Sequence, residues 1–407
     1  MSSAEGVRSS VLFVDDEQKV VDGLRRTLHS CRKKWDMTFV TTPEEALRLI
    51  RERHFDVIVA DMRMPNMTGA ELLEKVRAES SSTVRIILSG QAEASAIMKS
   101  VGPSHQFLSK PCDAVALEGA IQRACALRSH LADPRLADLV GSIDTLPSLP
   151  SIYQELVQAV KNEASMKEIG AIISRDLAMS VKILKLVNSS YFGPSRQIVD
   201  PSRAATMLGV ETIQALVLGV KIFEQFPESK LAGGEVEALW ERSGRAATFA
   251  RAICLAEHAD AVMTSQTSLA AFLHDIGELI LQNHMPHEVD EVRKLVSEGM
   301  AFGDAERTRI GATHGDIGGH LAALWGFPDP IIEAVTFHQE PSRCASHAMS
   351  ALTIVHVAQE LARSGLPAHD AEPPAGLDLA YLEVTGALAR LPAWLDRCRA
   401  EQPDPDK

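Results

Sequence analysis

Chemically capable residues stand directly behind short apolar runs in the first third of the chain. Asp15, Asp16 and Glu17 follow SVLFV, Asp61 follows DVIVA, Ser89 closes VRIILS, and Lys110 comes shortly after QFL, ahead of Pro111. If those runs are strands of one parallel sheet, residues just past their carboxyl ends share a single crevice. Carboxylates gathered there would repel one another unless a divalent cation lay among them, and an all-oxygen donor set suits Mg2+. With the cation screening an incoming phosphoryl group, Asp61 can act as a carboxylate nucleophile and Lys110 can neutralise the acyl phosphate that forms. Met62, Met64 and Met67 around Asp61 are loop and packing residues.

A second constellation lies far downstream, where AFLHDIGEL carries His274 and Asp275, followed later by His314 and His338. An adjacent His-Asp on a helix, joined by histidines from later helices, can hold divalent metal against a phosphate ester and activate a water. The same side chains can instead hydrogen-bond one another or nearby backbone as part of a polar core, and that alternative stays open. His284, His287 and His347 have no spacing that assigns them a role.

These residues need scaffolds of two kinds. Residues 10–14, 37–41, 56–60, 84–89 and 106–108 are short and apolar, as strands buried on both faces must be. Helical patterns fill the intervals at 20–29, at 43–53 behind the cap Thr42 with proline in the first position, at 70–78 and at 113–130. The alternation predicts an α/β doubly wound five-stranded parallel sheet, because parallel strands need right-handed crossovers. From Ser151 onward only helical periodicity recurs, so the second half is expected to be all-α. Residues 132–134 and the LPSLP stretch at 146–150 are expected to break the chain between the two parts. Gly193-Pro194 and Gly233-Gly234 are expected to be loops, the stretch 366–377 a looser connection, and the tail EQPDPDK disordered.

At 407 residues with 45% hydrophobic and 23% charged side chains, the chain can bury two or three ordinary cores. Its charge is uneven. Residues 1–130 hold 18 Lys+Arg against 17 Asp+Glu, and residues 131–407 hold 23 against 37. An acidic second half lacks the basic stripe that phosphate-backbone binding needs, which argues against a DNA-binding effector. The six cysteines are far apart with no metal-type spacing and are expected to be reduced, packed thiols. No apolar run approaches a membrane span and the N-terminus has no apolar signal core, so a cytoplasmic protein is expected.

In order and together, VLFVDDE, VIVADMRMPNMTG, RIILSG and FLSKP resemble the receiver domain of two-component response regulators, over residues 9–128. The resemblance implies a CheY-like, flavodoxin-like fold that binds Mg2+ through Asp15, Asp16, Asp61 and the Arg63 backbone carbonyl. It also implies phosphorylation of Asp61, with Lys110 as the conserved-type lysine, Ser89 as the switch hydroxyl and Phe107 as the switch aromatic. Downstream, LPSLPSIYQELVQAV, ISRDLAMSVKILKLVNSSYFG, AATMLGVETIQALVLG and HGDIGGHLAALWGFPDPIIEAVTFHQE resemble the HDOD domain, a relative of the HD and HD-GYP phosphodiesterases. Against the catalytic pattern, the histidine expected one helix before the HD pair is replaced by Arg242 or Ser243. The later aspartate falls near Gln359, and His338-Gln339 is followed by no GYP triplet.

The expected organisation is a receiver at 9–128, a helical linker at 129–145, an HDOD domain at 146–345 and a C-terminal helical extension at 346–407. The expected function is that of a response regulator. A sensor histidine kinase phosphorylates Asp61, Ser89 is drawn to the phosphoryl group, Phe107 moves inward, and the helix at 113–130 levers on the HDOD part. That part carries a degenerate site of His274, Asp275, His314 and His338, short of a two-metal set, and is expected to need no cofactor and to act on a downstream signalling protein, with homodimerisation left open. The competing reading is a metal-dependent phosphodiesterase of cyclic dinucleotides or nucleotides built on the same four residues.

Overall fold

The computed structural model describes residues 8–89, 104–110, 114–128, 134–143, 150–188, 198–214, 217, 233–367 and 372–401. The first part is a five-stranded sheet of β1 (Ser9–Val14), β2 (Trp35–Val40), β3 (Val57–Asp61), β4 (Val84–Ser89) and β5 (Gln106–Ser109) in the order β2-β1-β3-β4-β5. Every pairing is parallel, so each connection must cross over the sheet. The described crossover helices are α1 (Gln18–Thr27), α2 (Pro43–Glu52) and α3 (Gly69–Glu79), and α4 (Ala114–Arg128) follows β5. Thr42 caps α2 as its sequence indicates, its hydroxyl accepting from the Glu45 N–H at 3.3 Å. Val11 to Val14 and Val57 to Ala60 are fully or almost fully buried, which is why both strands are apolar throughout.

Strand register brings the chemistry together. Val14 lies opposite Ala60 and Ser89 opposite Ser109, so Asp15, Asp61, Ser89 and Lys110 all emerge at the same end of adjacent strands. Gly69 closes the loop behind Asp61. A Cβ there would stand 2.2 Å from the Asp61 carbonyl oxygen, so only glycine lets α3 start so close to the end of β3.

The second part is helical, with no strand among its described residues. After α5 (Pro134–Ser142) come α6 (Pro150–Lys161), α7 (Met166–Ile173), α8 (Leu177–Val187) and α9 (Pro201–Gln214). The next group is α10 (Gly233–Ala256), α11 (Ala261–Leu273), α12 (Ile276–His284), α13 (Pro286–Ser297), α14 (Phe302–Arg309), α15 (His314–Leu324), α16 (Asp329–Phe337) and α17 (Ala351–Ser364). Two terminal helices, α18 (Leu379–Val384) and α19 (Leu391–Ala400), end the described chain, and Trp394 on α19 donates to Glu257 at 2.7 Å.

Gly233-Gly234 do not form a loop. They open α10, where first-turn N–H groups need no intrahelical partner and glycine is tolerated. Gly193-Pro194, residues 132–133, residues 146–149, and the tail beyond Glu401 lie outside the described residues.

The two parts meet along β5. α15 packs on both α4 and α5. Gln106 Nε2 donates to the Ala323 carbonyl at 2.9 Å, and Lys185 Nζ on α8 donates to the Ser104 carbonyl at 3.1 Å. His105 accepts the Arg85 N–H at Nδ1 (3.0 Å) and faces the Gly141 carbonyl with Nε2 (3.2 Å), while the Arg85 guanidinium donates to the same carbonyl at 3.1 Å.

Candidate functional site

The structure places the acidic crevice where the sequence indicates. Lys110 Nζ lies 2.6 Å from Asp15 Oδ2 and is hydrogen-bonded to Asp61 Oδ1. The other Asp61 oxygen accepts the Arg63 backbone N–H at 2.7 Å, and Asp15 Oδ1 accepts the Glu17 N–H at 3.0 Å. Asp15 and Asp61 are buried and Asp16 is half-buried at the mouth. Burial pushes the Asp61 carboxyl above its ordinary range despite the Lys110 hydrogen bond and charge. For Lys110, burial works against the cation, but the hydrogen bonds to Asp15 and Asp61 outweigh it and raise its pKa. Two buried carboxylates with a third at the rim form a hard oxygen set, and such a set fits the Mg2+ that receiver domains commonly bind.

Ser89 is buried at the end of β4, and its carbonyl accepts the Lys110 N–H at 2.7 Å. Phe107 is also buried, at 9% exposure. The inward movement expected of this ring on phosphorylation therefore starts from a side chain that already lies inside.

The second set also comes together. His274 and Asp275 sit between α11 and α12, His314 opens α15, and His338 follows α16, none of the four more than 4% exposed. Close helix approach permits this. A Cβ at Gly277 would stand 1.9 Å from the His314 carbonyl oxygen, so α12 can reach α15 only with glycine there.

Hydrogen bonds orient each ring. Nδ1 of His274 faces the Ala271 carbonyl at 2.7 Å and Nδ1 of His338 the Val335 carbonyl at 2.9 Å. Nδ1 of His314 faces the Glu306 carboxylate at 2.9 Å, and the Glu306 side chain also accepts the His314 backbone N–H at 3.1 Å. All three Nε2 atoms consequently point inward, 3.1 Å (His274), 3.7 Å (His314) and 3.7 Å (His338) from Asp275 oxygens. The Nε2 atoms of His314 and His338 are 3.2 Å apart.

Of the two replacements considered for the missing histidine, Arg242 is the one that enters the cluster. It donates from Nε to Asp275 Oδ2 at 2.8 Å and from a terminal nitrogen to Glu278 Oε2 at 2.6 Å. The Ser243 hydroxyl is buried with no hydrogen-bond partner among the described residues. Gln359 is buried on α17, but the α17 residue bonded to the cluster is His356, whose Nδ1 lies 2.7 Å from the His338 carbonyl.

Burial opposes ionisation of Asp275, yet the neighbouring His274, Arg242 and His314 hold its carboxyl well below the ordinary range. For His314, the Glu306, Asp275 and Glu278 carboxylates outweigh burial and push it up to about 9. Burial and the His274 and His314 charges keep His338 well below its usual value. Sequence reasoning missed Glu306, Glu278 and His356. Their one signal was polar character at positions buried by helix packing, which a single sequence does not reveal.

A doubly wound sheet with an acidic crevice, joined to a helical bundle around a buried His-Asp pair, is a two-part architecture of receiver and HD-like type. The response regulator receiver domain family matches residues 11–122 and the HDOD domain family matches residues 146–341. The chain thus carries a response regulator receiver domain followed by an HDOD domain.

An uncharacterized protein of Treponema pallidum (strain Nichols) is 28% identical over 206 residues, 50% of this chain and 39% of the relative. The hydrogenase transcriptional regulatory protein HoxA of Cupriavidus necator is 32% identical over 134 residues, 32% of this chain and 27% of the relative. This chain thus spans about two-fifths or less of the length of these curated relatives. Among solved structures, the signal receiver domain of an HD domain-containing protein from Pseudomonas fluorescens Pf-5 is 27% identical. That match covers 30% of this chain and 90% of that one with a TM-score of 0.29. The MmoQ response regulator from Methylococcus capsulatus Bath is 21% identical, covering 61% of this chain and 98% of that one with a TM-score of 0.44.

Proposed function

We propose that this protein works in a phosphorelay, in which a sensor histidine kinase transfers a phosphoryl group to Asp61 and the HDOD domain passes the signal on by binding a downstream protein. The observation that carries the reading is the shared contact of Lys110 with Asp15 and Asp61. It puts a cation beside a carboxylate that burial has made more basic, the pairing needed to form and hold an acyl phosphate.

Asp15, Asp16, Asp61 and the Arg63 carbonyl would hold Mg2+, which when bound screens the charge between carboxylate and phosphoryl oxygens. An Asp61 oxygen forms the new bond to phosphorus as the donor's phosphorus–nitrogen bond breaks, and Lys110 neutralises the added charge. Ser89, drawn to the phosphoryl group, lies opposite Ser109 in the β4–β5 pairing. A shift at Ser89 therefore reaches β5, the strand from which Gln106 contacts Ala323.

Output by interaction is favoured over phosphodiester hydrolysis by the closure of the histidine cluster. A catalytic metal needs an open coordination position, whereas these four side chains are all buried and Arg242 takes one oxygen of Asp275. Such a relay operates in the cytoplasm, where we place the protein, and no described helix is long and apolar enough to cross a membrane.

The test is incubation of the whole chain with acetyl phosphate and Mg2+, read by intact-mass spectrometry. One added phosphoryl group on the wild type and none on Asp61→Asn is expected. Equal labelling of the variant, or none of the wild type, would overturn the reading.

A further inference from the structure

We propose that a cleft walled by α10 and α11 on one side and by the starts of α6 and α9 on the other binds a small flat organic anion, an aromatic body with a carbonyl oxygen at one end and a carboxylate at the other. The site goes beyond the phosphorelay reading and stands whether or not Asp61 is phosphorylated.

Helical spacing makes the cleft. Trp240, Gly244, Ala247, Thr248 and Arg251 follow an i, i+4, i+7, i+8, i+11 pattern and share one face of α10. Thr264, Ser268 and Phe272, each four residues after the last, line it from α11. With Ile152 and Val199 opposite, these faces enclose about 1110 Å³, the upper end of the range for small-molecule sites. Gly244 keeps the middle open, since a Cβ there would meet nothing within 4 Å.

Unmet hydrogen bonds define one end. Trp240 is only 4% exposed, and its indole Nε1, like the Ser268 hydroxyl, is buried with no partner among the described residues. Phe272 stands against Trp240 with ring centroids 6.1 Å apart, and Ser268 lies one turn before Phe272 on the same face. Indole can only donate, and a buried donor without an acceptor is costly. A carbonyl oxygen has two lone pairs and can accept from both groups, while Trp240, Phe272 and Ile152 give a flat ring aromatic and apolar contact.

Charge sets the direction of binding. Of the charged side chains that line the cleft, Arg175 is paired with Glu155 at 2.8 Å, and Asp200 accepts the Arg203 N–H at 2.9 Å. Arg251, exposed at the rim, makes no hydrogen bond or ion pair with a described residue. Glu241 stands at the other end, next to Trp240. An anionic group is therefore drawn towards Arg251 and repelled from the Trp240 end. Helical rise separates Trp240 from Arg251 by about 16 Å along α10, a span that the long arginine side chain shortens to the length of a three-ring molecule with one short arm. Trp240 and Phe272 stand two residues before Arg242 and His274. The cleft thus shares both helices with the histidine cluster and gives the HDOD domain an input separate from phosphorylation.

The probe is acridone-10-acetic acid, a flat fluorescent ketone whose carboxylate lies across the ring system from its carbonyl, titrated into the full chain and followed by fluorescence anisotropy. Binding should saturate at one equivalent per chain. The neutral methyl ester should bind the wild type roughly 3- to 10-fold more weakly, a comparison that requires no variant to fold. Arg251→Gln should weaken the acid by the same factor and leave the ester unchanged. Trp240→Phe, which keeps a ring but loses the N–H, should weaken both by roughly 3- to 10-fold, and Gly244→Leu, which puts a side chain into the open space, should abolish both. Absence of binding up to the solubility limit of the probe, equal affinity of the wild type for acid and ester, or unchanged binding by Gly244→Leu would overturn the proposal.

Discussion

Gln106 Nε2, on the strand beside the acidic crevice, donates to the Ala323 carbonyl at 2.9 Å, near the far end of the helix that begins at His314. Gly326, just past that helix with a φ of 76°, packs its backbone against the same glutamine side chain. A single helix, α15, therefore runs from the receiver contact to the buried histidine cluster. Packed elements of this kind carry a displacement as a unit, so a change at β5 has a direct mechanical route to His314.

Replacing Gln106 with leucine removes the donor from the receiver side, while the Ala323 carbonyl keeps the Gly326 N–H at 2.9 Å. The expected loss is about 0.5–1.5 kcal/mol of stability, measured by denaturant unfolding. A loss below about 0.3 kcal/mol, within the range of an inconsequential surface change, would mean that the two domains do not hold this contact in solution.

Acid should loosen the same junction. His105 is completely buried, and burial together with the charges of Arg85 and Lys185 holds its pKa well below the ordinary value, against the Gly141 carbonyl, with His320 adding to the depression. Because the folded pKa is depressed, the unfolded chain binds the proton more readily. The stability from neutral His105 is thus complete above about pH 6.5 and is lost as pH falls below it, at up to about 1.4 kcal/mol per pH unit. Melting temperature should drop between pH 6.5 and 5, and His105→Gln, which keeps a donor for Gly141, should drop less steeply. Parallel pH profiles for the two proteins would count against the assignment.

Arg242→Met leaves Asp275 and Glu278 as neighbouring carboxylates without their shared cation. In metal-free protein we expect destabilisation of about 2–4 kcal/mol, less than for a fully buried pair because Arg242 keeps some solvent contact. Adding Glu278→Gln should restore part of it. Double-mutant analysis that finds no coupling would show that the arginine does not neutralise the pair.

Much of this was legible in the sequence. The strands of the receiver are buried on both faces, so each is a short apolar run that announces itself, and the acids behind β1 and β3 needed only the parallel register to converge. The helical domain was legible as a class but not in its contacts. Gly233-Gly234 resemble a breaker, yet helix starts tolerate glycine. Glu306 sits in the charged stretch DAERTR, where nothing local distinguishes it from a surface residue, and only the fold of α14 against α15 buries it beside His314. Residues 104–106 carry the domain contact through the Ser104 backbone carbonyl and the Gln106 amide, which leave no periodic trace.

Gly277→Ala tests the helix approach that assembles the cluster. The added methyl would stand 1.9 Å from the His314 carbonyl oxygen, so α12 and α15 must separate, at a cost of about 1–3 kcal/mol. Unchanged stability would show that the two helices are less closely packed than this geometry requires.

The most direct test of a receiver that governs its HDOD domain is hydrogen exchange, followed by mass spectrometry, on the full chain with and without beryllofluoride, an acyl-phosphate mimic, in Mg2+. The expected result is altered protection both in residues 104–110 and along α15, absent in Asp61→Asn. A change confined to the receiver, with α15 exchanging identically in both states, would contradict it.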